Sequence, residues 1–201
     1  MGDRIQAGVR SRIRQGSDGA GGTRPRRRGW RRAIVVFLVI FLAFAAATAR
    51  LIVWPAQGMP ARADAIIMLA GPGDRLPVAL RLAAEHKAPV LVVSRGNLGY
   101  GGPCPAASAA PGVKIICFEP VPADTRGETE FVARLAERNG WRSIVLVTTT
   151  EQDTRARVMM RRCYPGSIYV VAASQPWTQW PYQVAYGWGA LFKALFLQRA
   201  C

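Results

Sequence analysis

The sequence predicts an α/β fold with a mostly parallel five-stranded sheet, preceded by one transmembrane helix. Three observations predict it. From Ala65 onward, short β-branched runs alternate with segments of helical period. Those runs are apolar throughout rather than alternating, as in strands buried on both faces. A long, uninterrupted apolar stretch lies ahead of them all.

The first 32 residues carry ten arginines against Asp3 and Asp18, a net +8 of the chain's +15. With much Gly, Ser and Gln and few apolar residues, 1–32 is expected to be a disordered basic arm. Ala33 to Ala49 reads AIVVFLVIFLAFAAATA and continues past Arg50 as Leu51 to Trp54, with Trp30 and Trp54 at the flanks. This makes 33–54 a signal anchor spanning the lipid bilayer. The arginines hold the N-terminus in the cytoplasm, which puts the C-terminal domain, 56–201, outside the cell membrane. The competing reading is a cleaved signal peptide ending at Ala47-Thr48-Ala49, whose apolar core would be long for that role. Either way the domain is exported. A basic arm is also a nucleic-acid signal, but topology explains this one, so no nucleic-acid partner is expected.

Within the domain, strands are expected at Ala65 to Ala70, Pro89 to Val93, Val113 to Phe118, Ile144 to Val147 and Ser167 to Val171. Leu80, Ala83 and Ala84 mark a helix after the first strand. Phe131, Val132, Leu135 and Ala136 mark another over Arg126 to Asn139, stopped by Gly140. Ala156, Met159, Met160 and Cys163 recur at i, i+3, i+4, i+7, giving a helix after the fourth run. Helices between successive strands require right-handed crossovers and parallel neighbours. About 145 residues suffice for one such core.

Four cysteines in an exported domain favour two disulfides, with three possible pairings. Cys104–Cys117 would tie the Gly/Pro/Ala-rich loop Gly101 to Gly112 to a strand, and Cys163–Cys201 would dock the chain end. CxxC spacing is absent and His86 is the only histidine, so no metal site is expected. His86, beside Lys87, reads as a solvated helix-end residue.

Ligands of open α/β sheets sit at the carboxyl ends of the strands. Gly71-Pro72-Gly73 follows the first strand and could wrap an anionic group with Arg75 closing over it. Ser94 and Gly96 follow the second, and Thr148 and Thr149 end the fourth. Thr125-x-x-Glu128 has the form of a capping box, and Thr150 with Asp153 that of another. Arg155, one turn into its helix beside the apolar stripe, can reach the crevice, whereas Arg157, Arg161 and Arg162 belong to the wet face. From Trp177 to Phe196 the chain is rich in aromatics and too short for a second span. It is expected to pack as a helix on the sheet, with a membrane-facing surface as the alternative. The domain's net +6 suits nearby anionic lipid.

Asp64 to Gly71, Pro89 to Gly96, Thr125-Arg126-Gly127-Glu128 and Val147-Thr148-Thr149 with Arg155-Ala156 resemble, in order and spacing, the motifs of the YdcF-like family of bacterial envelope proteins. The resemblance covers residues 62–194. It implies a Rossmann-like three-layer sandwich in the cell envelope. Members are described as binding S-adenosylmethionine or acting in envelope polysaccharide or peptidoglycan metabolism. The chain departs from the pattern where Glu151 and Gln152 replace a Tyr-His pair, and where Gly187 replaces a glutamate before Trp188. Glutamine cannot exchange the proton that a histidine would. The remaining acid or base would then be Glu128, with Glu151 and Asp153 as alternatives. The reading is a hydrolase or transferase for an anionic, phosphate-bearing, lipid-linked or cell-wall precursor, or a non-catalytic binding module. Ligand contacts would come from Gly71, Gly73, Arg75, Ser94, Gly96, Thr125, Thr148, Thr149, Gln152 and Arg155. No cofactor is expected, since S-adenosylmethionine is a cytoplasmic metabolite.

Overall fold

The computed structural model describes residues 26–96 and 103–201. The basic arm up to residue 25 and the start of the loop at 101–102 lie outside them. The described residues fall into two compact units, one ending at Phe41 and the other running from Leu42 to Cys201. The long helix α1, Arg26–Thr48, begins in the first. Residues Gly29–Val53 are long enough to cross a membrane and contain an 18-residue window of mean hydropathy 2.5.

The second unit is built on strands β1 (Ala65–Met68), β2 (Val90–Ser94), β3 (Lys114–Phe118), β4 (Ser143–Thr149) and β5 (Ser167–Ala173). They form one sheet in the order β3-β2-β1-β4-β5, and all four pairings are parallel. The expected α/β class holds, and the sheet is wholly rather than mostly parallel. Every residue of β1 is buried, because helices cover both faces. On one face Ile67, Leu69, Val92, Ile144 and Leu146 pack against Val132 and Leu135 of α3 (Thr125–Asn139) and Ala156 and Met160 of α4 (Thr150–Cys163). On the other, Ile66, Met68, Leu91, Val93 and Val145 meet Ala79, Leu82 and Ala83 of α2 (Arg75–Ala84). Three layers result.

The helix termini differ from expectation by one residue. Asp124, not Thr125, caps α3, its carboxylate accepting from the Arg126 and Gly127 N–H groups at 2.9 and 3.1 Å. The charged carboxylate meets two orphan donors at once. Thr149 rather than Thr150 is the N-cap residue of α4, and its side chain makes no cap bond. Gly140 ends α3 in the left-handed region as its type favours. His86 does the same after α2 at φ 52° and is solvent-exposed.

The C-terminal helix α5 (Trp180–Phe192) runs into a π-helical turn, Lys193–Leu197. Its main partners are α4 and a second π-helical turn, Ala49–Val53, instead of the sheet. The tertiary reason is that α3 and α4 already occupy that face of the sheet. Ile52 is fully buried, and the Thr154 hydroxyl donates to the Leu51 carbonyl, so residues 49–53 are part of the folded unit. Gly58 forms an antiparallel bridge with Val170, and the Gln57 side chain accepts from Ala172 N–H, covering part of the outer edge of β5.

Two disulfides join Cys104 to Cys117 and Cys163 to Cys201, with Cα separations of 5.9 and 5.1 Å. Arg157 and Arg162, expected on the wet face, are half-buried and tied to the chain. Arg157 pairs with buried Asp153 and donates to the Ala56 carbonyl, while Arg162 donates to the carbonyls of Ala194 and Gln198. Guanidinium forks hold chain segments that lack regular hydrogen bonding.

Candidate functional site

A cleft of about 650 Å³ opens at the carboxyl ends of the strands. It is lined by Ala70 and Gly71 after β1, Gly96 after β2 and Pro120 after β3. Asp124, Thr125 and Glu128 enter from the start of α3. Glu151, Gln152, Arg155 and Met159 come from α4, while Tyr182, Gln183, Tyr186 and Lys193 come from the C-terminal helical segment. Strand order reverses between β1 and β4, so the loops after those strands diverge and leave this crevice. A second hollow, of about 570 Å³, lies near the amino-terminal ends of β4 and β5 and includes none of the predicted ligand-binding residues.

Arg75 organises the floor rather than lining it. It is 2 % exposed. Its Nε donates to the Pro72 carbonyl at 2.9 Å, and Nη1 donates to the carbonyls of Leu69 and Ala70 at 3.1 and 2.6 Å. Nη2 donates to the Thr149 hydroxyl at 2.9 Å. Burial lowers its pKa to about 10, against the attraction of Glu151 and Glu128, so it stays cationic at neutral pH. The expected role as an anion clamp is thereby replaced by a scaffolding role. Gly71, at φ 139°, is the position that permits this: a Cβ there would lie 2.7 Å from the guanidinium.

Glu128 sits beside this cation in α3, 3 % exposed, and accepts from the Ala70 N–H at 2.7 Å. Burial raises its pKa. The Ser94 hydroxyl, the Ala70 N–H and the charges of Arg75 and Arg155 act in the opposite direction. Ser94 Oγ faces that carboxyl without meeting the full geometry of a hydrogen bond to any described residue. Thr149 links the two sides: its hydroxyl accepts from Arg75 and donates to Glu151 Oε1, while Glu151 Oε2 is buried without a hydrogen-bond partner among the described residues.

Arg155 differs from Arg75 in that its guanidinium makes no hydrogen bond to the described residues. It is half-buried at the cleft, and its Nε is buried with no partner among the described residues. The group lies 5.7 Å above the Tyr186 ring. Gln152, next to it on the cleft wall, donates to the Thr125 hydroxyl at 3.3 Å.

Of the predicted residues, Gly71, Gly96, Thr125, Glu128, Gln152 and Arg155 therefore line one cleft. Ser94, Thr149 and Arg75 support it from behind. Gly73 does not reach it: at φ 94° it is a turn glycine, and a Cβ there would lie 2.7 Å from Thr149 Cγ2 and 2.9 Å from the Ser174 carbonyl oxygen. Thr148 is fully buried away from the cleft. Asp153 faces the opposite side of α4, where it receives Arg157 and, at 2.9 Å, the Gln57 amide. Gly187, the second departure from the YdcF-like pattern, faces the α4 backbone, where a Cβ would stand 3.4 Å from the Glu151 carbonyl. Tyr182, Tyr186 and Lys193 were not expected at the site. Their spacing along one helix face was the available signal, and only the docking of α5 on α4 gives it meaning. No family model matches this chain, and neither a curated protein nor a solved structure does.

Proposed function

We propose that this is a membrane-anchored envelope protein of the YdcF-like kind, whose extracytoplasmic domain binds an anionic, phosphate-bearing precursor in the cleft. The observation that carries the reading is Arg155, half-buried with an Nε that has no hydrogen-bond partner among the described residues, in a cleft also lined by Gly71 and Gly96. Arg75 offsets the buried carboxyls electrostatically, and the raised pKa of Glu128 keeps that group closer to neutral. A ligand anion then meets Arg155 with less repulsion than two carboxylates would otherwise impose.

If the site is catalytic, Glu128 is the group suited to donate a proton to a leaving oxygen in a hydrolase or transferase step, because burial favours its protonated form. A second reading, binding without turnover, is favoured by Gln152. Its amide is tied to Thr125 at the position where the resemblance implies an exchangeable imidazole.

Support for export comes from the two disulfides and from the arginines that precede the apolar helix. The test uses the oxidised full chain in nanodiscs, with polyprenyl phosphates, nucleotide sugars and S-adenosylmethionine assayed for thermal stabilisation and turnover. Arg155→Ala should weaken binding of a phosphate-bearing ligand by about 10- to 100-fold, as expected for a lost charge-assisted contact. Unchanged binding would sink the cleft assignment. Binding without turnover, unrestored by Gln152→His, would exclude the enzyme reading and leave the binding module.

A further inference from the structure

We infer that the C-terminal helical segment is a second membrane-contacting element, lying in the leaflet on the domain's side of the anchor and holding one rim of the cleft at headgroup depth. The inference rests on α1 being the membrane span and does not depend on what the cleft binds.

The stretch long and apolar enough to cross a membrane, Gly29–Val53, contains Phe44 and Thr48, both ahead of the turn at 49–53 that packs into the domain. Both are contacts of α5. The Trp188 indole stacks on Phe44 with ring centroids 5.3 Å apart, and its Nε1 donates to the Thr48 hydroxyl at 3.1 Å. With α1 as the span, Trp188 is seated on its domain-side end, and an α5 bound there cannot stand clear of the bilayer.

The surface of the segment matches that placement. From Trp180 to Leu197 the only charged side chain is Lys193. Gln183, Gly187, Leu191 and Ala194 face inward. The outward side continues from Trp188 to Phe192, Leu195 and Phe196, spaced as one helical stripe, and ends at Leu197, which is 74 % exposed. In water such a stripe would be a costly apolar patch. Against acyl chains it is the natural counterpart of the apolar stretch ahead of it in α1, which is equally bare.

The adjoining face carries Tyr182, Tyr186 and Lys193, the same groups that line the cleft. Tyrosine and lysine are residues of the water-lipid boundary, with apolar bodies and polar tips. The helix thus presents hydrocarbon to the leaflet on one side and the cleft rim to the headgroups on the other. Exposed Arg50 at the end of the span and Arg199 past the segment supply cations for an anionic surface.

The full chain, in nanodiscs of phosphatidylethanolamine and phosphatidylglycerol, would be irradiated with a phospholipid carrying a diazirine on its acyl chain, and labelled peptides mapped by mass spectrometry. Label is expected in both 33–48 and 185–197. A triple variant, Phe192→Ser, Phe196→Ser and Leu197→Ser, should lose label in the second region several-fold while keeping it in the first. Label confined to 33–48 in the wild type would overturn the inference, whatever the variant does. So would crosslinking of 185–197 to a second copy of the chain in place of lipid.

Discussion

Replacing Arg75 with methionine should destabilise the domain far more than it weakens any ligand. Methionine fills similar space but removes a cation that donates to three carbonyls and to Thr149. It also leaves Glu128 and Glu151 without the charge that offsets them. Taking one partner out of a buried charged cluster costs about 3–5 kcal/mol, a large part of the roughly 5–15 kcal/mol that holds a domain together. For a unit of this size that corresponds to a fall in Tm of roughly 6–20 °C. The assay is thermal unfolding of the full chain in micelles, followed by near-UV circular dichroism. Arg75→Lys should recover part of the loss, since an ammonium keeps the charge but cannot reproduce the fork. A methionine variant melting within about 2 °C of wild type would refute the scaffolding role and return Arg75 to the list of residues free to meet a ligand.

Glu128 has a folded pKa above its unfolded value, so the unfolded chain loses its proton first as pH rises. Stability should therefore fall from the ordinary carboxylate range up to the raised folded pKa and level off beyond it. Glu128→Gln should flatten that slope in melts recorded between pH 4 and 8. Asp153, raised by burial in the same direction, supplies the residue of it. Breaking Cys163–Cys201, whose partners are 38 residues apart, should cost about 4 kcal/mol, and breaking Cys104–Cys117, 13 apart, about 3 kcal/mol, as paired Cys→Ser variants would measure. Gly127→Ala should compromise folding outright, because a Cβ there would lie 2.0 Å from the Pro122 carbonyl oxygen. A soluble, normally melting Gly127→Ala chain would contradict the packing of α3 on the preceding turn.

The sheet was legible because its strands announce themselves. Runs such as Ile144 to Val147 have no polar interruption and are followed by helices of clear period, which leaves little besides parallel pairing. The cleft was legible in part for the same reason: Gly71, Gly96 and Arg155 follow strands whose ends share one edge. What a sequence does not display is how a side chain's hydrogen-bonding capacity is spent. Arg75 and Arg155 look alike in the chain, yet one is consumed by carbonyls and the other stands open. The caps moved by one residue because Asp124 competes with Thr125 for the same orphan amides, a contest decided by backbone geometry. The sequence directs the aromatic stretch that holds Tyr182 and Tyr186 to the sheet or to the membrane rather than to the cleft, since helix-on-helix docking involves residues distant in the chain.

Gln198 both lines the cleft and donates to Asp124, the cap of α3, at 3.1 Å. The tail that carries it is fastened by adjacent residues of α4: Arg162 grips the Ala194 and Gln198 carbonyls, and Cys163 bonds Cys201. One wall of the cleft is thus completed by oxidation. A newly made chain with its thiols still reduced would carry an unfinished site, and would mature only where a thiol oxidant can reach it.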